Sequence, residues 1–187
     1  MKKGQEGEGH TYELIKNLKS PDDNVKTQSI SQLPQIFQVL GPKRLVNELL
    51  PYLQDLLDED EDIVLSLCKS LSYIQIPAND RSAFSGLTKF FEEMTAFEEA
   101  SIRDESIKSI IRVLANMPKE IRSTNAATIV TNLIATDTNL KKEAAAKLLD
   151  TFSEFLLPND YKNIIDWTKE LLKDGNSETI YVITCKS

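Results

Sequence analysis

The chain of 187 residues fits one ordinary domain or a short array of repeats, and its 41% hydrophobic, 27% charged composition excludes wholesale disorder. Asp and Glu (29) outnumber Lys and Arg (22), and the net charge of −7 removes any general electrostatic pull on phosphate backbones or anionic membranes. Three of the six glycines (Gly4, Gly7, Gly9) fall in the first ten residues; the rest are too few for the hairpin turns of a β-rich fold, so the expected class is all-α.

The opening MKKGQEGEGH has no apolar segment behind its lysines and reads as a disordered tail over 1–10, not a secretory signal. From residue 11 onward, apolar stripes with helical spacing alternate with short polar turns. First helices of successive pairs are expected near 11–19, 42–57, 79–95, 119–135 and 160–173. Second helices are expected near 24–39, 62–75, 100–116 and 140–156, the last supported by the strong helix former KEAAAK at 142–147. Val25, Ile63, Ile102 and Leu140 are spaced by 38, 39 and 38. Five residues after each come Ile30, Cys68, Ile107 and Ala145; eight residues after each come Leu33, Leu71, Ile110 and Leu148. The first helices end on Leu18, Leu56, Met94, Ile134 and Leu172, spaced by 38, 38, 40 and 38. A register kept this long marks a repeat.

Pro42, Pro77, Pro118 and Pro158 fall between repeats, where a helix must stop or start. Pro34 in SQLPQIF and Pro51 in NELLPYL fall inside helices, and each predicts a kink and a lost backbone bond worth roughly 3 kcal/mol unless compensated. Helical pairs of this length without a β-turn signature resemble the HEAT/armadillo class, which implies a right-handed α-α superhelix, a solenoid of about five hairpins. The repeats are placed at about 11–40, 42–76, 79–117, 119–157 and 158–187. The last is incomplete: its TIYVITCKS end stops two turns into an apolar helix, although Cys185 keeps the register, so either the chain is a fragment of something longer, the favoured reading, or that tail packs in some other way.

Chemistry is hard to place on this chain. His10, the single histidine, sits in the tail, so a nucleophile–histidine arrangement has no firm base, and no GxxxxGK[ST] or GxGxxG occurs. Glu92–Glu93 and Glu98–Glu99 are paired carboxylates expected on a solvated surface, and Cys68 and Trp167 are expected in the core. The expectation is a non-enzyme without metal or cofactor. Cys68 and Cys185 read as two thiols of a reducing, cytoplasmic or nucleocytoplasmic compartment, and no apolar run is long enough to span a membrane.

The acids are distributed unevenly. Asp22, Asp23, Asp58 through Asp62, Glu98, Glu99, Asp137 and Asp174, eleven of 29, occupy turns inside the repeats. Capping of helix N-termini accounts for one or two per turn but not for the run DEDED at 58–62, so an acidic ridge for a protein partner is expected. Candidate partner-binding residues are Glu59, Asp60, Glu61, Asp62, Glu98, Glu99 and Asp137. An unrelated HEAT adaptor of the nuclear-transport type, holding basic cargo peptides, would use the same edge.

NELLPYLQDLLDEDEDIVLSL (47–67) and AFEEASIRDESIKSI (96–110) resemble the N-terminal HEAT repeats of the scaffolding A subunits of protein phosphatase 2A. KNLKSPDDNVKTQSISQL (16–33) and KEAAAKLLDTFSEF (142–155) are similar to the first and fourth repeats of that family. The resemblance implies a horseshoe scaffold whose N-terminal intra-repeat turns hold a regulatory subunit, while its C-terminal turns hold the catalytic subunit. By position, Glu59, Asp60, Glu61 and Asp62 match acidic second-turn positions, Glu98 and Glu99 the third-turn pair used against regulatory subunits, and Asp137 the fourth-turn acid. Thr138 stands where the family has a partner-contacting tryptophan, and Gly175, after the matching Asp174, replaces another acid. Five repeats imply that the partner is a phosphatase regulatory subunit, with the catalytic subunit reached only indirectly because the C-terminal repeats are absent; no nucleic-acid or membrane partner is implied. A fragment, a truncated gene product and a divergent paralogue competing for regulatory subunits all suit these residues.

Overall fold

The apolar columns of the repeat become the core of a helical fold. The computed structural model describes residues 2–77 and 80–173, which fall in two compact units, Met1–Leu87 and Thr88–Ser187. Among the described residues there is no strand. No helix among them is long and apolar enough to cross a membrane.

The first unit opens with α1 (Lys2–Asn17), which carries helix back through the stretch expected to be a disordered tail. That stretch holds no proline, and its Lys, Gln and Glu residues favour helix, against about 1 kcal/mol lost at each glycine. The second helix of the first pair is split into α2 (Asp23–Ser31) and α3 (Leu33–Arg44). Pro34 is the reason: the chain leaves helical geometry at Gln32 and restarts at Leu33, which puts Pro34 in a first turn where its missing N–H would have been unpaired anyway. α3 bends at Gly41, whose φ of 75° and ψ of 175° turn the chain into the next repeat ahead of Pro42. Space for a Cβ is open there, so a side chain would meet only backbone strain. Gly41→Ala is therefore expected to cost about 1–3 kcal/mol, read as a lower urea midpoint with unchanged slope.

Pro51 is accommodated by another route. The turn before it, Leu45–Leu49, is π-helical, and the Leu50 N–H reaches back five residues to the Leu45 carbonyl. Widening the ring by one residue lets the helix restart as α4 (Leu50–Leu53) with Pro51 in its first turn, so the expected full loss of a bond is avoided. A 3₁₀ turn (Gln54–Asp58) and α5 (Glu61–Ser72) complete the second pair. α6 (Arg81–Met94) begins in the first unit, where the Asp80 carboxylate accepts the Ala83 N–H at 2.9 Å, and ends in the second.

The second unit continues with α7 (Ala100–Ala115), α8 (Lys119–Ile134), α9 (Asn139–Phe152) and α10 (Tyr161–Lys173), the last entered through a 3₁₀ turn at Pro158–Asp160. The second half of the fifth pair lies outside the described residues.

Two of the three second-helix columns are buried: Ile30, Cys68 and Ala145 are 0% exposed and Ile107 7%, while Leu33, Leu71, Ile110 and Leu148 are all 0%; the leading column is buried at Ile63 and Ile102 but half-buried at Val25 and Leu140. The first-helix column holds at Leu18, Leu56 and Met94 but moves by one residue afterwards. Leu133 and Leu171, not Ile134 and Leu172, are the buried members, and the spacings become 38, 38, 39 and 38. Trp167 packs in the core as expected, its indole N–H donating to Thr131 Oγ1 at 3.2 Å.

Side-chain bonds between neighbouring helices join residues about one period apart. In the first unit the Tyr52 hydroxyl donates to the Ile15 carbonyl at 3.2 Å, Lys26 meets Glu59 at 2.7 Å, and the Ser70 hydroxyl donates to the Ile30 carbonyl at 2.5 Å. In the second, Ser123 donates to Asp160 Oδ2 at 2.6 Å while accepting the Leu157 N–H at 3.0 Å. The pairs Lys26–Glu59 and Ile30–Ser70 advance together along α2 and α5, so these two helices run in the same direction. Ser123–Asp160 and Thr131–Trp167 show the same for α8 and the α10 segment.

Candidate partner-binding surface

Parallel neighbours bring successive intra-repeat turns to one end of each unit. In the first unit the turn between α1 and α2 lies beside the one between the 3₁₀ turn and α5. Lys19 ties them by pairing with Asp55, its ammonium 4.2 Å from the centre of the Tyr52 ring, and Lys26 ties them again through Glu59. In the second unit Asn132 Nδ2 donates to Glu92 Oε2 at 3.2 Å close to the ends of α6 and α8, so the turns that follow, carrying Glu98, Glu99 and Asp137, leave from adjacent points.

The seven acids predicted as a site are all exposed, but they are not equivalent. Glu59 is committed internally: its carboxylate sits 2.7 Å from Lys26, whose side chain is only 6% exposed and which also has Asp23 at 3.6 Å. The hydrogen bond from Lys26 to Glu59, reinforced by the two carboxylate charges, holds the Lys26 ammonium above its ordinary pKa against the opposing cost of burial. Asp60 starts α5 with its backbone, its carbonyl accepting the Ile63 and Val64 N–H groups at 2.9 and 3.1 Å, while its side chain makes no capping bond. Glu61 and Asp62 occupy the first turn of α5, where the helix dipole favours negative charge.

Glu99 likewise precedes α7 without a side-chain cap, and so does Thr138 before α9. Arg103 folds back to donate to the Phe97 and Glu98 carbonyls at 2.7 and 2.6 Å. The guanidinium thus fixes the backbone of the third turn and leaves the Glu98 and Glu99 carboxylates facing outward. Capping by a turn acid occurs at Asp22, whose Oδ1 accepts the Asn24 N–H at 2.9 Å and the Val25 N–H at 3.4 Å. Asp60, Asp62, Glu98, Glu99 and Asp137 therefore carry negative charge that no side-chain bond uses among the described residues. The fifth-turn residues Asp174 and Gly175, and Cys185 beyond them, lie outside the described residues. No three His, Cys, Asp or Glu side chains among the described residues are grouped to hold a metal ion.

Glu92 departs from the solvated position expected for it. It is 9% exposed in α6, and burial raises its pKa above the ordinary carboxylate value against the smaller opposing pull of Asn132, Lys141 and Lys89. Helix phase held the clue, since Thr88 and Thr95, one turn to either side, are buried too. A carboxylate with a raised folded pKa binds its proton more tightly in the native state, so its contribution to stability is full below about pH 4.5 and falls as pH rises through the folded value. Glu92→Gln keeps a partner for Asn132 and removes that decline: pH-dependent urea unfolding should show the variant gaining on the parent from about pH 5 upward.

No family model matches the chain. Curated relatives do. The chain is 34% identical over 107 residues to the protein phosphatase 2A scaffold subunit of Dictyostelium discoideum, covering 56% of this chain and 18% of that protein. It is 29% identical over 105 residues to the alpha isoform of the 65 kDa regulatory A subunit of phosphatase 2A from Arabidopsis thaliana, again 56% and 18% of the two chains. Against the human beta isoform of that subunit the figures are 26% over 113 residues, 59% and 19%. The matched stretch thus spans under a fifth of these relatives. Over a little more than half of its own length, the chain is a partial relative of the protein phosphatase 2A scaffold A subunits.

Proposed function

We propose that the chain is a non-catalytic scaffold segment that binds a phosphatase regulatory subunit through its acidic intra-repeat turns. The observation that carries this reading is the set of exposed carboxylates, Asp60, Asp62, Glu98, Glu99 and Asp137, which no side-chain bond uses among the described residues, with the backbone of the third turn fixed by Arg103. Charge held outward on a preformed turn loses little conformational freedom on binding, and it steers a basic partner and sets its register. The similarity to scaffold and regulatory A subunits supports a protein partner of that kind. The catalytic subunit would be reached only through it.

The test is retention of purified regulatory and catalytic subunits on the immobilised chain, beside a Glu98→Lys/Glu99→Lys variant at matched salt. Only the regulatory subunit should be retained, about tenfold or more weaker in the variant, with affinity falling as salt rises. Retention of neither by a well-folded chain, or equal retention by the variant, would overturn the proposal.

A further inference from the structure

The break that Pro34 makes between α2 and α3 has a consequence on the opposite side of the helix from the core. Where the two pieces part, a groove of about 400 Å³ opens against α5, lined by Ser31, Pro34, Ser66, Lys69, Ser70 and Tyr73. Ser66, Lys69, Ser70 and Tyr73 follow one another at i, i+3, i+4 and i+7, which places them in a single stripe of α5, away from the buried Ile63, Leu67 and Leu71. Seven residues of helix rise about 10 Å, the length of three residues of extended peptide.

The lining carries a charge opposite in sign to that of the chain as a whole. It has one cation and no carboxylate, in a chain with a net charge of −7. The Lys69 ammonium and the Ser66 hydroxyl have no side-chain partner among the described residues. The Ser31 and Ser70 hydroxyls are already committed, donating to the Gln28 and Ile30 carbonyls at 2.6 and 2.5 Å. Tyr73, at the mouth, leaves 61% of its surface exposed, and its ring and that of Pro34 supply apolar walls.

We infer that this groove is a second binding site, for a short extended peptide that presents an acidic side chain beside an apolar one. The carboxylate pairs with Lys69 and accepts from Ser66, and the apolar neighbour packs between Pro34 and Tyr73. The site selects charge opposite to that selected by the acidic turns, so one protein could hold a basic surface on its turn edge and an acidic tail on the face of α5.

A library of random 12-residue peptides displayed on phage and selected on the full chain tests this. Acidic peptides should be enriched, and synthetic copies should bind at least tenfold more weakly to Lys69→Glu and to Tyr73→Ala, both exposed positions whose variants keep the parent circular dichroism. Glu98→Lys/Glu99→Lys should leave that binding unchanged, which separates this site from the turn edge. Enrichment of basic peptides, absence of any enrichment, or binding indifferent to Lys69→Glu would overturn the inference.

Discussion

Replacing Glu59 by alanine should lower the unfolding free energy by about 2–4 kcal/mol, whereas Asp60→Ala next to it should cost about 0.5 kcal/mol or less. The difference lies in what each carboxylate faces. Lys26 is nearly enclosed, at 6% side-chain exposure, and Glu59 is its close partner at 2.7 Å; Asp23, at 3.6 Å, is a weaker substitute. Removing one member of such a pair leaves a charge that burial has already separated from water, and the penalty falls on the survivor. The half-exposed Glu59 side chain keeps the figure below that of a fully enclosed pair. Asp60 makes no side-chain capping bond and has no side-chain partner among the described residues, so its loss removes only a favourable charge near the start of α5. A pH signature identifies the mechanism. The Lys26 pKa is raised in the folded state, so the stability it contributes is complete below about 10.5 and is lost as pH climbs through the folded value. Parent and Glu59→Ala unfolding curves should therefore converge in alkali and stay apart at neutral pH. Equal stabilities at neutral pH would assign Glu59 to the solvated edge with its neighbours. The same comparison sorts the acidic run by role: Glu59→Ala should weaken partner binding only as far as it loosens the fold, while Asp60→Lys and Asp62→Lys should weaken binding strongly in a chain that loses only about 1 kcal/mol of stability, the charge at the start of α5.

The periodic part of this architecture was open to reading because burial selects residue type one period at a time. Ile30, Cys68, Ile107 and Ala145 are chemically unalike, yet their shared phase identified a buried column, and all four are enclosed. Phase also failed where the residues offered two equal answers. Leu133–Ile134 and Leu171–Leu172 are apolar doublets, and only packing decides which member turns inward. The acids show a second kind of limit. Counting them locates the edge, but whether a carboxylate is engaged or free depends on residues a full period away: Lys26 for Glu59, Asn132 for Glu92. Composition cannot tell Glu92 from Glu93. Pro34 and Pro51 stood out against the pattern, and the structure resolves them differently, by a restart at Leu33 and by a π-helical turn before Leu50.

Ser70→Ala should cost about 1–3 kcal/mol although only a hydroxyl is removed, and the reason lies 36 residues upstream, at Pro34. In an uninterrupted helix the Ile30 carbonyl would accept from the amide four residues on, but that residue is Pro34 and has no N–H. The Gln32 N–H is shared between the Ser29 and Ile30 carbonyls, and the remaining demand of Ile30 is met by Ser70, whose hydroxyl donates at 2.5 Å from α5. Both residues are buried, at 0% and 8% exposure, so water cannot replace the lost donor cheaply. The two positions should therefore couple. Pro34→Ala removes the cause of the break; once α2 and α3 join, the new amide reaches the Ile30 carbonyl, and in that background Ser70→Ala should cost about 0.5 kcal/mol, giving an interaction energy of about 1–2 kcal/mol in a double-mutant cycle. Additive losses would mean that Ser70 stabilises α5 alone. Coupling would mean that the second repeat supplies the hydrogen bond that proline takes from the first, so that the cost of the break between α2 and α3 is met by the neighbouring helix.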